Sequence, residues 1–304
     1  MKAERHPYLL LAAIIVLWGA NWPIMKIGLN HIPPIWFAAA RLLLGSLCLF
    51  ILIGLRGQLS RPARGDLPVL ISVSVLQLGL GMMFMNLGLM TVDAGRSAIL
   101  AYTTSLWVAP LAVFVLGEKI NLAKGLGIAL GLAGVAVLFN PVDFNFSDPD
   151  QLIGNGYLIA SAMIMAIVIT HIRHHKMVMP PLQIMPWQMF FGGLIVTSCA
   201  FYFEGMPDLE ASPTLIAILA YNGPIASAFC FWAYQTVMRV LPATSTSLGS
   251  LGIPVAGMIF SAIALGESLT FGKLTGLGLI SSGVGILIVG DLFLKSRRRT
   301  EDQK

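Results

Sequence analysis

Apolar runs of about 20 residues recur between residues 8 and 294 with only short polar breaks, and each is long enough to cross a hydrocarbon core of about 30 Å as one helix. Lipid offers no partner for backbone N–H and C=O groups, so runs of this length leave α-helices as the spanning structure. Turn residues and charges divide the chain into ten spans. The first five lie near 8–29, 33–54, 67–89, 94–116 and 121–139; the second five lie near 152–172, 183–203, 214–236, 243–264 and 272–294. With 57% hydrophobic and 11% charged residues, nothing remains for a soluble domain. Trp18-Gly19-Ala20-Asn21-Trp22-Pro23 continues the first run without a small-residue cleavage site, which makes that run a span rather than a signal peptide.

The formal charge of +5 is an orientation signal and not a nucleic-acid face, because the basic residues fall in short loops and the tail. One side of the expected topology carries Lys2, Arg5, Arg56, Arg61, Arg64, Lys119, Lys124, Arg173, Lys176, Arg239 and the five basic residues from Lys295 onward. The other side carries Arg96 and Lys273. Basic loops are held in the cytoplasm. Both termini are therefore expected there, in a multi-pass protein of the cell inner (plasma) membrane. Cys48, Cys199 and Cys230 lie inside spans with no metal or disulfide spacing, and read as small core residues.

The segment 117–125, Gly-Glu-Lys-Ile-Asn-Leu-Ala-Lys-Gly, resembles 266–274, Gly-Glu-Ser-Leu-Thr-Phe-Gly-Lys-Leu, at a shift of 149 (267 minus 118). The same shift pairs Gly127 with Gly276 and Gly134 with Gly283, and a shift of 147 (180 minus 33) pairs Pro33-Pro34 with Pro180-Pro181. A duplicated unit of five spans has an odd number of crossings, so the second copy enters the membrane from the opposite side. The expected fold is thus an all-α integral membrane protein of ten transmembrane helices in two inverted five-helix repeats. Residues 1–140 form one repeat, 141–294 the other, and 295–304 a basic cytoplasmic tail. In secondary transporters such an arrangement places a substrate site near the bilayer midplane, between the repeats.

These ten spans, the duplicated unit, Trp18-Gly19-Ala20-Asn21, Arg41 and the Gly-Glu pairs ending at Glu118 and Glu267 resemble the drug/metabolite transporter superfamily, and within it the EamA-type exporters. The resemblance covers about residues 8–294. It implies transport of small organic metabolites, amino acids among them, by a chain that needs no cofactor. It also implies that the last helix of each repeat can make homodimer contacts.

Trp18, Asn21 and Trp22 share one face of the first span at i, i+3 and i+4, and Pro23 beside them removes a helical hydrogen bond. Lys26 is expected to snorkel outward from its helix end. Arg41 lies about eight residues into its span. Its fork suits a carboxylate of substrate or protein, or else a packing or carbonyl-capping role. Its counterpart at the 147 shift is Gln188. Gln77, Asn86, Tyr221, Asn222 and Trp232, with Tyr102 on the fourth span, add the polar and aromatic groups that a cavity for amphipathic solutes combines. For each amide the alternative is an interhelical hydrogen bond. The small residues of Ala243-Thr244-Ser245-Thr246-Ser247, and the glycines of the fifth and tenth spans (Gly125, Gly127, Gly131, Gly134, Gly276, Gly278, Gly283 and Gly285), read as close-packing surfaces.

No Asp or Glu falls in the middle of a span, which disfavours a simple central proton relay. His171, His174 and His175 with Arg173 read as a solvated basic loop. The rival to a solute carrier is an integral-membrane enzyme acting on lipids or isoprenoids. It would need clustered His, Asp, Glu or Cys at one membrane face, and no such cluster, catalytic residue or metal site is read here.

Overall fold

The structure, a computed structural model, describes residues 6–116, 122–138, 147–175, 177–209, 212–240 and 250–301. Among these residues it is all-helical, without a strand. Its helices are α1 (His6–Gly28), α2 (Pro34–Leu55), α3 (Arg64–Thr91), α4 (Ala94–Ala101), α5 (Thr104–Leu116), α6 (Leu122–Leu138), α7 (Pro149–His174), α8 (Pro181–Phe203), α9 (213–240), α10 (Gly252–Leu265) and α11 (Phe271–Glu301). Among the described residues six stretches are long and apolar enough to cross a membrane: Pro7–Gly28, Pro34–Leu55, Arg64–Thr91, Pro149–His174, Pro181–Phe203 and Pro213–Tyr234. Gly125–Leu138, Gly252–Leu265 and Phe271–Ile286 are shorter apolar helices. Large apolar side chains such as Leu47, Phe114 and Ile263 stay exposed on the outside, as a chain dissolved in lipid requires.

Local chemistry sets the ends. Pro34, Pro149, Pro181 and Pro213 open their helices, where the missing N–H costs nothing. Asp148 accepts from the N–H groups of Asp150 and Gln151, and Ser212 from that of Leu215. Gly57 and Gly205 follow the ends of α2 and α8 with φ of 63° and 70°, a left-handed conformation that glycine takes without strain. They stand at a shift of 148 (205 minus 57).

Two departures from regular α-helix matter for the site. Val73–Gly81 within α3 and Tyr221–Phe229 within α9 are π-helical, again at a shift of 148 (221 minus 73). Each accepts a close glycine from a neighbouring helix. A Cβ on Gly45 of α2 would lie 3.3 Å from the Gly223 carbonyl, and one on Gly192 of α8 would lie 3.1 Å from the Ser74 carbonyl. The expected fourth span is not one helix: it breaks at Tyr102 and Thr103, where the Thr103 hydroxyl turns back to the Leu100 carbonyl at 2.7 Å.

Packing pairs α2 with α8, α6 with α11, α1 with α10, α3 with α7 and α8, and α9 with α1 and α2. The expected glycine seam joins α6 to α11. A Cβ on Gly134 would come within 2.9 Å of the Gly276 carbonyl, and one on Gly283 within 2.6 Å of the Gly127 carbonyl. Gly125 and Gly278 face open space instead. The segments 117–121 and 241–249, which hold Glu118 and Ala243-Thr244-Ser245-Thr246-Ser247, lie outside the described residues.

Candidate functional site

Asn21 and Met25 are one helical turn apart on α1, and the Met25 sulfur meets both Asn21 and Arg41 of α2. Arg41 is 3% exposed. Its Nη1 donates to the Met25 sulfur at 3.1 Å and its Nε to the Ser227 hydroxyl at 3.4 Å, in the π-helical part of α9. The Met25 sulfur also accepts from Asn21 Nδ2 at 2.9 Å. A thioether is a weak acceptor and 3.4 Å a long bond, so these partners compensate a buried guanidinium poorly. Among the described residues no carboxylate pairs with it. Asn21 Oδ1 is buried without a donor. The site therefore offers an unneutralised fork and an unfilled acceptor side by side.

Two bonds fix α1 to the π-helical stretch beside it: Trp18 Nε1 donates to the Ala226 carbonyl at 2.8 Å, and the Tyr221 hydroxyl to the Leu17 carbonyl at 2.6 Å. The Trp18 ring stands 5.4 Å from those of both Phe231 and Tyr234. Trp232 lies 5.8 Å from Phe229, and Tyr102 joins the same cluster at the break between α4 and α5. Trp18, Asn21, Arg41, Tyr102, Tyr221 and Trp232 are thus gathered where α1, α2, α4 and α9 meet.

The remaining candidates are Trp22, Asn86, Asn222 and Gln77. Trp22 is buried in the main core with its ring against Gly257 of α10. Asn86 donates to the Pro34 carbonyl at 3.0 Å, tying α3 to α2, and Asn222 donates within its own helix to Ile218 at 3.1 Å. Gln77 is half-buried in the π-helical part of α3. Met25 and Ser227 were not singled out from sequence. Met25 carries one signal, its position four residues after Asn21.

The Lys26 ammonium caps the end of α3, on the carbonyls of Leu89, Met90 and Val92 at 2.6, 2.8 and 3.0 Å, because the last carbonyls of a helix have no intrahelical donor. The histidine cluster is not wholly solvated. His171 Nδ1 lies 2.8 Å from the Ser72 hydroxyl, and His175 Nε2 lies 3.8 Å from the buried Asp66. The carboxylates at helix ends serve distant backbone: Glu204 holds the N–H groups of Ile35 and Trp36 at the start of α2, Glu267 those of Ala94 and Gly95 at the start of α4, and Asp66 those of Val178 and Met179 in the loop before α8. Among the described residues no group of three His, Cys, Asp or Glu could hold a metal.

The model of the EamA-like transporter family matches residues 6–140 and again residues 152–289. The chain belongs to that family. The uncharacterized transporter YoaV of Bacillus subtilis is 27% identical over 95% of this chain and 97% of its own length. Probable amino-acid metabolite efflux pumps of Salmonella typhimurium and Escherichia coli are 23% and 24% identical, each over 94% of this chain and 96% of their own. A protein known from a crystal structure superposes with a TM-score of 0.65 over 95% of this chain and 98% of its own at 19% identity, a likeness of fold alone. The expected resemblance to EamA-type drug/metabolite transporters is borne out, and this EamA protein is a multi-pass membrane transporter rather than an enzyme.

Proposed function

We propose that this EamA protein is a secondary transporter of small carboxylate-bearing metabolites of the amino-acid class, working outward across the cell inner membrane by alternating access between two inverted five-helix repeats. The observation that carries the cargo class is Arg41, a buried guanidinium whose partners are a thioether and a distant hydroxyl. An ionisable group at such depth needs an anion or water to be tolerated. A cargo carboxylate displaces Met25 from Arg41 and takes the fork in two parallel bonds. The cargo ammonium then fills Asn21 Oδ1. Trp18, Tyr102 and Trp232 supply the aromatic wall, and Tyr221 sets the position of α1 against α9. In this reading Trp22, Gln77, Asn86 and Asn222 act in helix packing.

Several features support a ten-span inverted duplication. The family model applies once to each half. Gly57 and Gly205, the two π-helical stretches, and Gly45 and Gly192 recur at shifts of 147 or 148. The packing of α3 on α8 has its counterpart in α9 on α2, and that of α3 on α7 in α9 on α1. Both termini then lie with the basic loops in the cytoplasm. The outward direction follows the efflux pumps among the relatives.

The test is release of a preloaded panel of amino acids and related metabolites from vesicles holding the purified protein, with and without a pH gradient. Saturable release of one or a few carboxylate-bearing compounds is expected. Release restricted to compounds without a carboxylate would contradict the reading.

A further inference from the structure

The end of α2, the start of α3, the end of α7 and the start of α8 meet at one end of the bundle, where two short loops join them. The two loops are tied to each other. Asp66 is fully buried and holds the N–H groups of Val178 and Met179 at 2.8 and 2.7 Å. The Ser60 hydroxyl donates to Gln183 Oε1 at 3.2 Å, and Trp187 Nε1 donates to the Ser60 carbonyl at 2.9 Å. A Cβ on Gly65 would lie 3.3 Å from the Val178 side chain, so the backbones are also in close contact.

This platform presents three exposed guanidinium groups, those of Arg61 and Arg64 on the first loop and of Arg173 in the last turn of α7. Among the described residues no carboxylate pairs with any of them. Asp66, two residues after Arg64, spends both oxygens on backbone N–H groups instead. Leu59, Leu67 and Val178 are exposed on the same segments. Water suits the arginines but not these apolar groups, and hydrocarbon does the reverse. The boundary between headgroups and acyl chains suits both. The position agrees, because Leu55, Arg64, His174 and Pro181 are ends of stretches long and apolar enough to cross a membrane. Trp187, with its ring 4.9 Å from that of Phe50, has the apolar body and polar tip of a tryptophan at a membrane interface.

We propose that this platform is a binding site for the headgroup of an anionic phospholipid. The phosphodiester oxygens take the forks of Arg61, Arg64 and Arg173, whose planar donors match phosphate in pairs. The first carbons of the acyl chains lie against Leu59, Leu67 and Val178. An orientation signal needs only basic residues on one side of the membrane. Three arginines held on tied segments beside exposed apolar groups go further than that signal requires.

The test is native mass spectrometry of the purified full-length protein with phosphatidylglycerol and phosphatidylcholine of identical acyl chains at equal concentration. The wild-type protein is expected to retain phosphatidylglycerol in preference. Arg61→Gln/Arg64→Gln/Arg173→Gln is expected to reduce that preference about tenfold or more. Arg297→Gln/Arg298→Gln/Arg299→Gln makes the same change of charge in the tail and is expected to keep it. Thermal unfolding in detergent shows that each variant is folded, and Arg61→Gln/Arg64→Gln, which leaves α7 untouched, replaces the first triple variant if that one is not. Equal retention of the two lipids by the wild-type protein overturns the proposal. So does a preference that the loop substitutions leave unchanged, or one that the tail substitutions reduce as much.

Discussion

The guanidinium of Arg41 rests on a thioether and a hydroxyl where a carboxylate would be the stronger partner, and that mismatch sets the residue-scale expectations. Arg41→Lys keeps the charge but loses the fork, so the KM for a carboxylate cargo is expected to rise about tenfold with the protein still folded. Met25→Glu places a permanent carboxylate between Asn21 and Arg41. Transport measured in vesicles is then expected to stop while the unfolding temperature holds or rises; undiminished transport would show that Arg41 does not meet the cargo. Arg41 and Asn21 stood out in the sequence because charged and amide side chains are rare within apolar spans. Their mutual partner did not, since a methionine inside a span looks like any other apolar residue. Lys26 shows the same limit: its position near a helix end is visible in the sequence, but the three carbonyls that it caps belong to residues 63 to 66 positions later.

At the scale of elements, runs and proline positions marked most helices, and glycine spacing marked the seam between α6 and α11. A leucine at Gly283 would drive its Cβ into the Gly127 carbonyl, so Gly283→Leu is expected to cost about 1–3 kcal/mol, read as a lower unfolding temperature in detergent. Glu204 holds two N–H groups at the start of α2, and Glu204→Ala is expected to cost about 1–2 kcal/mol by the same measurement. The π-helical stretches were not legible. A π-helical stretch bonds i→i+5 in place of i→i+4, and apolar periodicity over nine residues does not record that choice. Pro224 was the one local hint in α9, since a proline inside a helix has no N–H to give. The carboxylate contacts were hidden for a related reason: Glu204, Glu267 and Asp66 each hold backbone N–H groups more than a hundred residues away.

For the whole molecule, the proposed duplication was visible as two similar segments and two proline pairs, and its proposed inversion rests on the expected five spans in each copy. That count is open to a direct check. In a protein with Cys48, Cys199 and Cys230 replaced by alanine, single cysteines at Ser60 and Met206, both exposed just beyond Gly57 and Gly205, are expected to react with a membrane-impermeant maleimide from opposite sides. Labelling of both from one side would rule out inverted repeats. The dimer contacts implied for the last helix of each repeat would have to avoid Gly134, Gly276 and Gly283, which α6 and α11 spend on each other.

The central claim is that a cargo carboxylate docks on Arg41. It is tested most directly by counterflow into proteoliposomes of a transported amino acid and of its decarboxylated amine, for the wild-type protein and Arg41→Gln. The expected result is that wild type prefers the amino acid and that Arg41→Gln loses that uptake by about tenfold or more while remaining folded and inserted. Equal uptake of the amino acid by both proteins would contradict it.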